Sequence, residues 1–151
     1  MHRRGVARPF RRITAALLGN AEQMRTTRSL ARFVDGAVRE GRWMVELLLL
    51  ILGEWSTPKF DEFMRRLAAP ANLVDKLRDA GRDFARGEIC IHPGLRFRLC
   101  LGREIFAQIL RLAPFCVGRR GLLGWGVHSL CRELAARPGE PMPPANNAEG
   151  V

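Results

Sequence analysis

The chain has 151 residues, 47% hydrophobic and 26% charged, with 25 Lys plus Arg against 15 Asp plus Glu and a formal net charge of +10. That length predicts one domain, and that apolar content excludes a chain disordered throughout. The charge is uneven: residues 1–33 hold eight Arg and a single acid, Glu22, whereas residues 34–151 are nearly balanced, which reads against a uniformly basic nucleic-acid-binding domain. Arg outnumbers Lys 23 to 2 and Tyr is absent, a pattern that fits a bias toward GC-rich codons.

Residues 1–29 are Arg-rich with scattered Thr and Ser. They read as a disordered basic extension or as an organelle-targeting segment, with a short helix over Ile13 to Leu18 and with a specific binding arm as a third option. Arg residues interrupt every early apolar stretch, which reads against a secretory signal. From Leu30 the texture changes, and residues 30–135 are expected to form one helical domain.

The first predicted helix spans 30–52, with Phe33, Ala37, Trp43 or Met44, Leu47, Leu48 and Ile51 on one side. Its second half is apolar all round apart from Glu46, so it should be buried against other helices or lipid. Gly53 and Ser56-Thr57-Pro58 mark its end and a turn. A second helix, Lys59 to Ala69, is expected to stop or kink at Pro70. A third, over 71–87, carries Leu73, Leu77, Ala80 and Phe84 on one face. Asp75 with Arg78, Asp79 with Arg82, and Asp83 with Arg86 form opposite-charge pairs at i, i+3 on the other, and Gly87 suits its C-terminal cap.

His92-Pro93-Gly94 closes a loop. A fourth helix is expected over 95–113, with Leu95, Leu99, Phe106, Ile109, Leu110 and Ala113 on one side and Arg96, Arg103 and Arg111 on another. Leu122 to Leu134 is a short fifth, weakened by Gly124 and Gly126. Residues 136–151, with four prolines, read as a disordered tail. There is no alternating strand pattern, and the expected class is all-α: a small bundle of about five amphipathic helices between disordered tails.

Chemistry-bearing constellations are not visible. Cys90, Cys100, Cys116 and Cys131 form no Cys-x-x-Cys and read as free thiols of a reducing compartment. His2, His92 and His128 stand far apart without a partner motif, and the carboxylates sit beside Arg on solvent faces. No catalytic, cofactor-binding or metal-binding residue is therefore expected. Neither apolar stretch, around Leu47 to Leu52 or from Leu99 to Val117, reads as a clear bilayer span, and contact with a membrane would be interfacial.

Three patterns, in order, resemble the peroxin-11 family of peroxisomal membrane-elongation proteins over about residues 30–125. The first is Asp35-Gly36-x-x-Arg39-x-x-Arg42 before an apolar helix. The second is Gly81-Arg82-Asp83-Phe84-Ala85-Arg86-Gly87 closing a helix. The third is the apolar helix Leu95 to Phe115 ending in Arg119-Arg120-Gly121-Leu122. Asp83 stands where that family has a basic residue, and Gly87 arrives one position early. The resemblance implies a non-enzymatic protein whose amphipathic helices insert shallowly into the cytosolic leaflet of the peroxisome, remodelling or elongating that membrane. It further implies self-association and recruitment of fission machinery. On this reading Leu73, Leu77 and Phe84 face lipid, while Arg78, Arg82 and Arg86 contact anionic headgroups.

Other readings stay open. Leu73, Leu77, Ala80, Gly81 and Phe84 have the spacing of the death-helix motif of apoptosis regulators, with Arg82 where that motif carries Asp. A mitochondrial, plastid or cytoplasmic helical interaction protein fits the same helices. Nucleic acid is not the expected partner, and it would have to use the Arg-rich N-terminus.

Overall fold

The computed structural model describes residues 6–116, and within them the chain is all-α, with four helices and no strand. The expected fifth helix, Leu122 to Leu134, and the tail 136–151 lie outside the described residues. The helices are α1 (Ala7–Thr26), α2 (Leu30–Leu52), α3 (Pro58–Ala85) and α4 (Leu95–Leu112), with 3-10 turns at Gly53–Trp55 and Ala113–Cys116. Each helix packs mainly against its neighbour in sequence. Short connections between packed neighbours make an antiparallel up-and-down arrangement.

The first correction is α1, a 20-residue helix where a disordered basic extension or a targeting segment, with only a short helix over Ile13 to Leu18, was expected. Its inward positions Ile13, Leu17, Asn20 and Met24 recur at spacings of four, three and four, which is helical, and Asn20 and Met24 are buried. The polar Asn20 hides the stripe in the sequence. In the fold its amide Nδ2 donates to the Gly36 carbonyl at 3.0 Å, so its burial is satisfied.

Helix α2 runs over the expected residues. Ser29 caps it by accepting a hydrogen bond from the Arg32 N–H at 3.4 Å, and Gly53 ends it at φ +52°, a left-handed conformation suited to glycine. Its first half buries Phe33, Val34, Gly36 and Ala37, near the expected face. Its second half buries Val45 and Leu49, leaving Met44, Leu48 and Ile51 exposed together with Trp55 just beyond. That half was expected to be buried against other helices or lipid. An element apolar all round carries no periodicity to choose its buried face, so packing against α3 chooses it.

The second correction is Pro70, which does not divide two helices but lies inside the single 28-residue α3. Proline removes one i→i−4 bond from a helix, and here it is buried within the helix. The α3 start follows the sequence: Thr57 accepts from the Phe60 N–H at 3.3 Å, and Pro58 occupies the first turn. Gly87, at φ +71°, lies just past its end.

The larger core cluster joins all four helices through Met24, Phe33, Ala37, Leu73, Leu77, Ala80, Phe97, Leu101 and Ile105, with Ile89 from the α3–α4 connection. The Phe33 and Phe97 rings lie 5.5 Å apart at 52°. A smaller cluster of Val45, Leu49 and Ala68 fills the other end of the α2–α3 interface. A polar seam beside it sets the register of these two helices: Asn72 Nδ2 donates to the Ala37 carbonyl at 2.8 Å, and Lys76 pairs with Glu40 at 3.0 Å.

Candidate functional site

The α3 face that sequence reasoning gave to lipid is divided differently by the fold. Leu73 and Leu77 lie in the core with Ala80, so they are closed to lipid and to any groove-binding partner. Phe84 remains partly exposed, its ring edge-on to His92 at 5.2 Å.

The basic side of α3 is an ion-pair ladder. Arg78 meets Asp75 at 2.7 Å and Asp79 at 3.5 Å, and Arg82 meets Asp79 at 2.9 Å. Asp83 faces Arg82, at 3.8 Å, in place of the expected Arg86, which is exposed at the helix end. Burial pushes the Asp83 carboxyl above its ordinary pKa. Glu88 and Asp79 push the same way, and Arg82 and Lys76 pull it back. Arg78 and Arg82 thus spend their charge on neighbouring acids, and the α3 face offers little net charge to a headgroup.

Asp35, Gly36, Arg39 and Arg42 fall on α2, and two of them have work inside the molecule. A β-carbon on Gly36 would lie 2.5 Å from Met24 Cγ, so glycine lets α1 approach α2. Arg39 donates to Asn20 Oδ1 at 3.4 Å and to Gln23 Oε1 at 3.3 Å, tying the same pair of helices. Asp35 and Arg42 are exposed.

The surface that sequence reasoning missed is the outer face of α4. That helix is apolar on two sides. Phe97, Leu101, Ile105 and Leu112 turn inward, and Gly102 and Gln108 are buried with them. Leu95, Leu99, Phe106 and Leu110, expected together on one side of the helix, remain 51–73% exposed. At 100° per residue these four fall within a narrow arc along the helix. The exposed Arg96, Arg103 and Arg111 follow on one flank, and none of the three has an ion pair or hydrogen bond among the described residues. The single acid of α4, Glu104, is half-buried and accepts from Gln108 Nε2 at 2.7 Å. The result is an apolar stripe bordered by guanidinium groups that have no partner among the described residues. The signal was present in the sequence as the same seven residues, but two apolar faces competed for the core.

Among the described residues no group of three or more His, Cys, Asp or Glu is placed to hold a metal ion, and no helix is long and apolar enough to cross a membrane. No family model, curated protein or solved structure matches the chain.

Proposed function

We propose that this is a non-enzymatic helical protein that lies on a membrane, with the outer face of α4 as its contact with an anionic leaflet. The observation that carries the reading is the exposed stripe Leu95, Leu99, Phe106 and Leu110 beside Arg96, Arg103 and Arg111. A helix with such a face gains by burying its apolar side at the headgroup boundary. Arg stems lie along that boundary while their guanidinium groups reach phosphate, each contributing about 1 kcal/mol near an anionic surface. Shallow insertion widens the leaflet it enters and favours curvature. The peroxin-11 resemblance supplies the proposed setting, remodelling or elongation of the peroxisomal membrane by self-associating copies that recruit fission machinery. The α4 face replaces the α3 face as the part that would perform it.

The test is co-sedimentation with phosphatidylserine-containing vesicles, comparing the wild type with L99E/F106E. The wild type should bind at low salt and release as salt rises, and electron microscopy should show tubules. Burying a Leu or Phe contributes at least about 1.5 kcal/mol each, so the double variant should lose about 3 kcal/mol of binding or more. Both positions are exposed, so its thermal melt should match the wild type. A wild type that ignores anionic vesicles at low salt ends this reading, and a tagged chain imaged in cells tests the organelle.

A further inference from the structure

At the end of the bundle where the α1–α2 and α3–α4 connections come together, a cleft of about 390 Å³ opens between Arg28, Ser29 and Leu30 on one side and His92, Arg96 and Phe97 on the other. We infer that this cleft binds a phosphomonoester. Where the phosphate belongs to a lipid, the inference rests on the membrane reading above and gives that contact its headgroup selectivity.

The argument starts from the two guanidinium groups. Arg28 comes from the α1–α2 connection and Arg96 from the first turn of α4, so distant parts of the chain bring two positive charges to one concavity. Neither has an ion pair or hydrogen bond among the described residues. Other basic groups, among them Arg25, Arg39, Arg65, Lys76, Arg78 and Arg82, already have side-chain partners. Among the described residues no acid lines the cleft, so an anion entering it displaces none of their carboxylates. Planar guanidinium forks match the oxygens of a phosphate better than a point charge does, and two of them from different directions suit a doubly charged monoester.

The remaining lining completes the chemistry. The Ser29 Oγ accepts from the Arg32 N–H, and its own proton is left to donate, since a hydroxyl does both. His92 brings ring N–H capacity to the same rim. Phe97 and Leu30 provide an apolar wall that lowers the local dielectric and strengthens each polar contact. The volume falls within the range of small-molecule sites, enough for a phosphate and the glycerol or sugar that carries it. Arg96 also borders the apolar stripe of α4, so a lipid with its chains against that stripe would bring its headgroup toward the cleft.

Full-length protein should be tested against vesicles of equal surface charge made with phosphatidic acid, whose headgroup is a phosphomonoester, or with phosphatidylserine, whose phosphate is a diester. The wild type should prefer phosphatidic acid by about tenfold, the factor expected from one strong hydrogen bond to a charged group. R28Q/R96Q should lose that preference and melt as the wild type does, while its phosphatidylserine binding falls only by the factor of about five that the Arg96 contact of the α4 face contributes. Equal wild-type binding to the two vesicles, or a preference unchanged in R28Q/R96Q, overturns the cleft and leaves the membrane reading standing.

If the wild type binds neither vesicle, the membrane reading fails, and calorimetric titration with glycerol 3-phosphate decides the cleft alone. Binding that R28Q/R96Q abolishes and L99E/F106E retains assigns the site to a soluble phosphomonoester. No heat of binding overturns it.

Discussion

Gly36 and Gly41 both sit buried on α2, yet a β-carbon would meet different atoms at each. At Gly36 it meets the Met24 side chain, 2.5 Å from Cγ and 2.9 Å from Sδ. Methionine has three rotatable bonds and can move aside. At Gly41 it runs into the Ala68 backbone carbonyl and the Asn72 side chain of α3, and a carbonyl inside a helix cannot rotate away. Alanine gains about 1 kcal/mol over glycine in a helix interior, whereas overpacking costs about 1–3 kcal/mol. G36A should therefore remain within about 1 kcal/mol of the wild type. G41A should lose about 2 kcal/mol as α2 and α3 are forced apart. Urea midpoints at unchanged m-value measure both.

Asp83 gives a pH-dependent counterpart. Burial raises its pKa in the folded state, so the folded chain holds that proton more firmly than the unfolded chain. Its effect on stability is therefore increasingly unfavourable as pH rises from the ordinary carboxylate value through the raised one. D83N should give a small rise in Tm at neutral pH, and the gain should vanish below the ordinary carboxylate range, where both states carry the proton. A gain that persists at acid pH would assign it to packing. At this scale the sequence was legible in part. The pairs Asp75–Arg78 and Asp79–Arg82 follow from i, i+3 spacing and are present, whereas Gly36 and Arg39 look like a surface motif until α1 is known to pack on them.

At the scale of elements, α2 and α4 show opposite sides of one limit. The extents of both follow from caps and breakers: Ser29, Gly53, Gly94 and the break near Pro114 bound them within a residue of the expected positions. Their buried faces do not follow. The second half of α2 is apolar around its circumference, and α4 carries two apolar arcs, so composition alone assigns neither. The deciding information is long-range, in the fit of Phe97 against Phe33 and of Val45 and Leu49 against Ala68. The candidate site moved from α3 to α4 for this reason. Pro70 is the converse case, a strong local breaker overridden by a 28-residue helix packed against α2.

For the whole molecule, α1 is the part that charge composition concealed most completely. Deleting residues 1–26 removes Met24 from the core and the Asn20 bond to the Gly36 carbonyl. Burial of a methionine contributes about 1.5–3 kcal/mol and a hydrogen bond about 1 kcal/mol. The deletion should thus lower stability by about 3 kcal/mol while circular dichroism still reports a helical α2–α4. Unchanged stability would show that α1 contributes nothing to the packed body. Half of the eight Arg of the first 33 residues accordingly belong to a structural helix, which presents Arg8, Arg11, Arg12 and Arg25 outward.

The order of packing along the chain also ranks how easily each helix can open. Contacts of α1 run principally through α2, while α3 is held by α2 on one side and α4 on the other. Lifting α1 breaks one interface; lifting α3 breaks two and empties both core clusters. Local openings therefore form a ladder, with amide protons of α1 exchanging at the lowest rung and those around Leu73 and Leu77 only when the whole bundle comes apart.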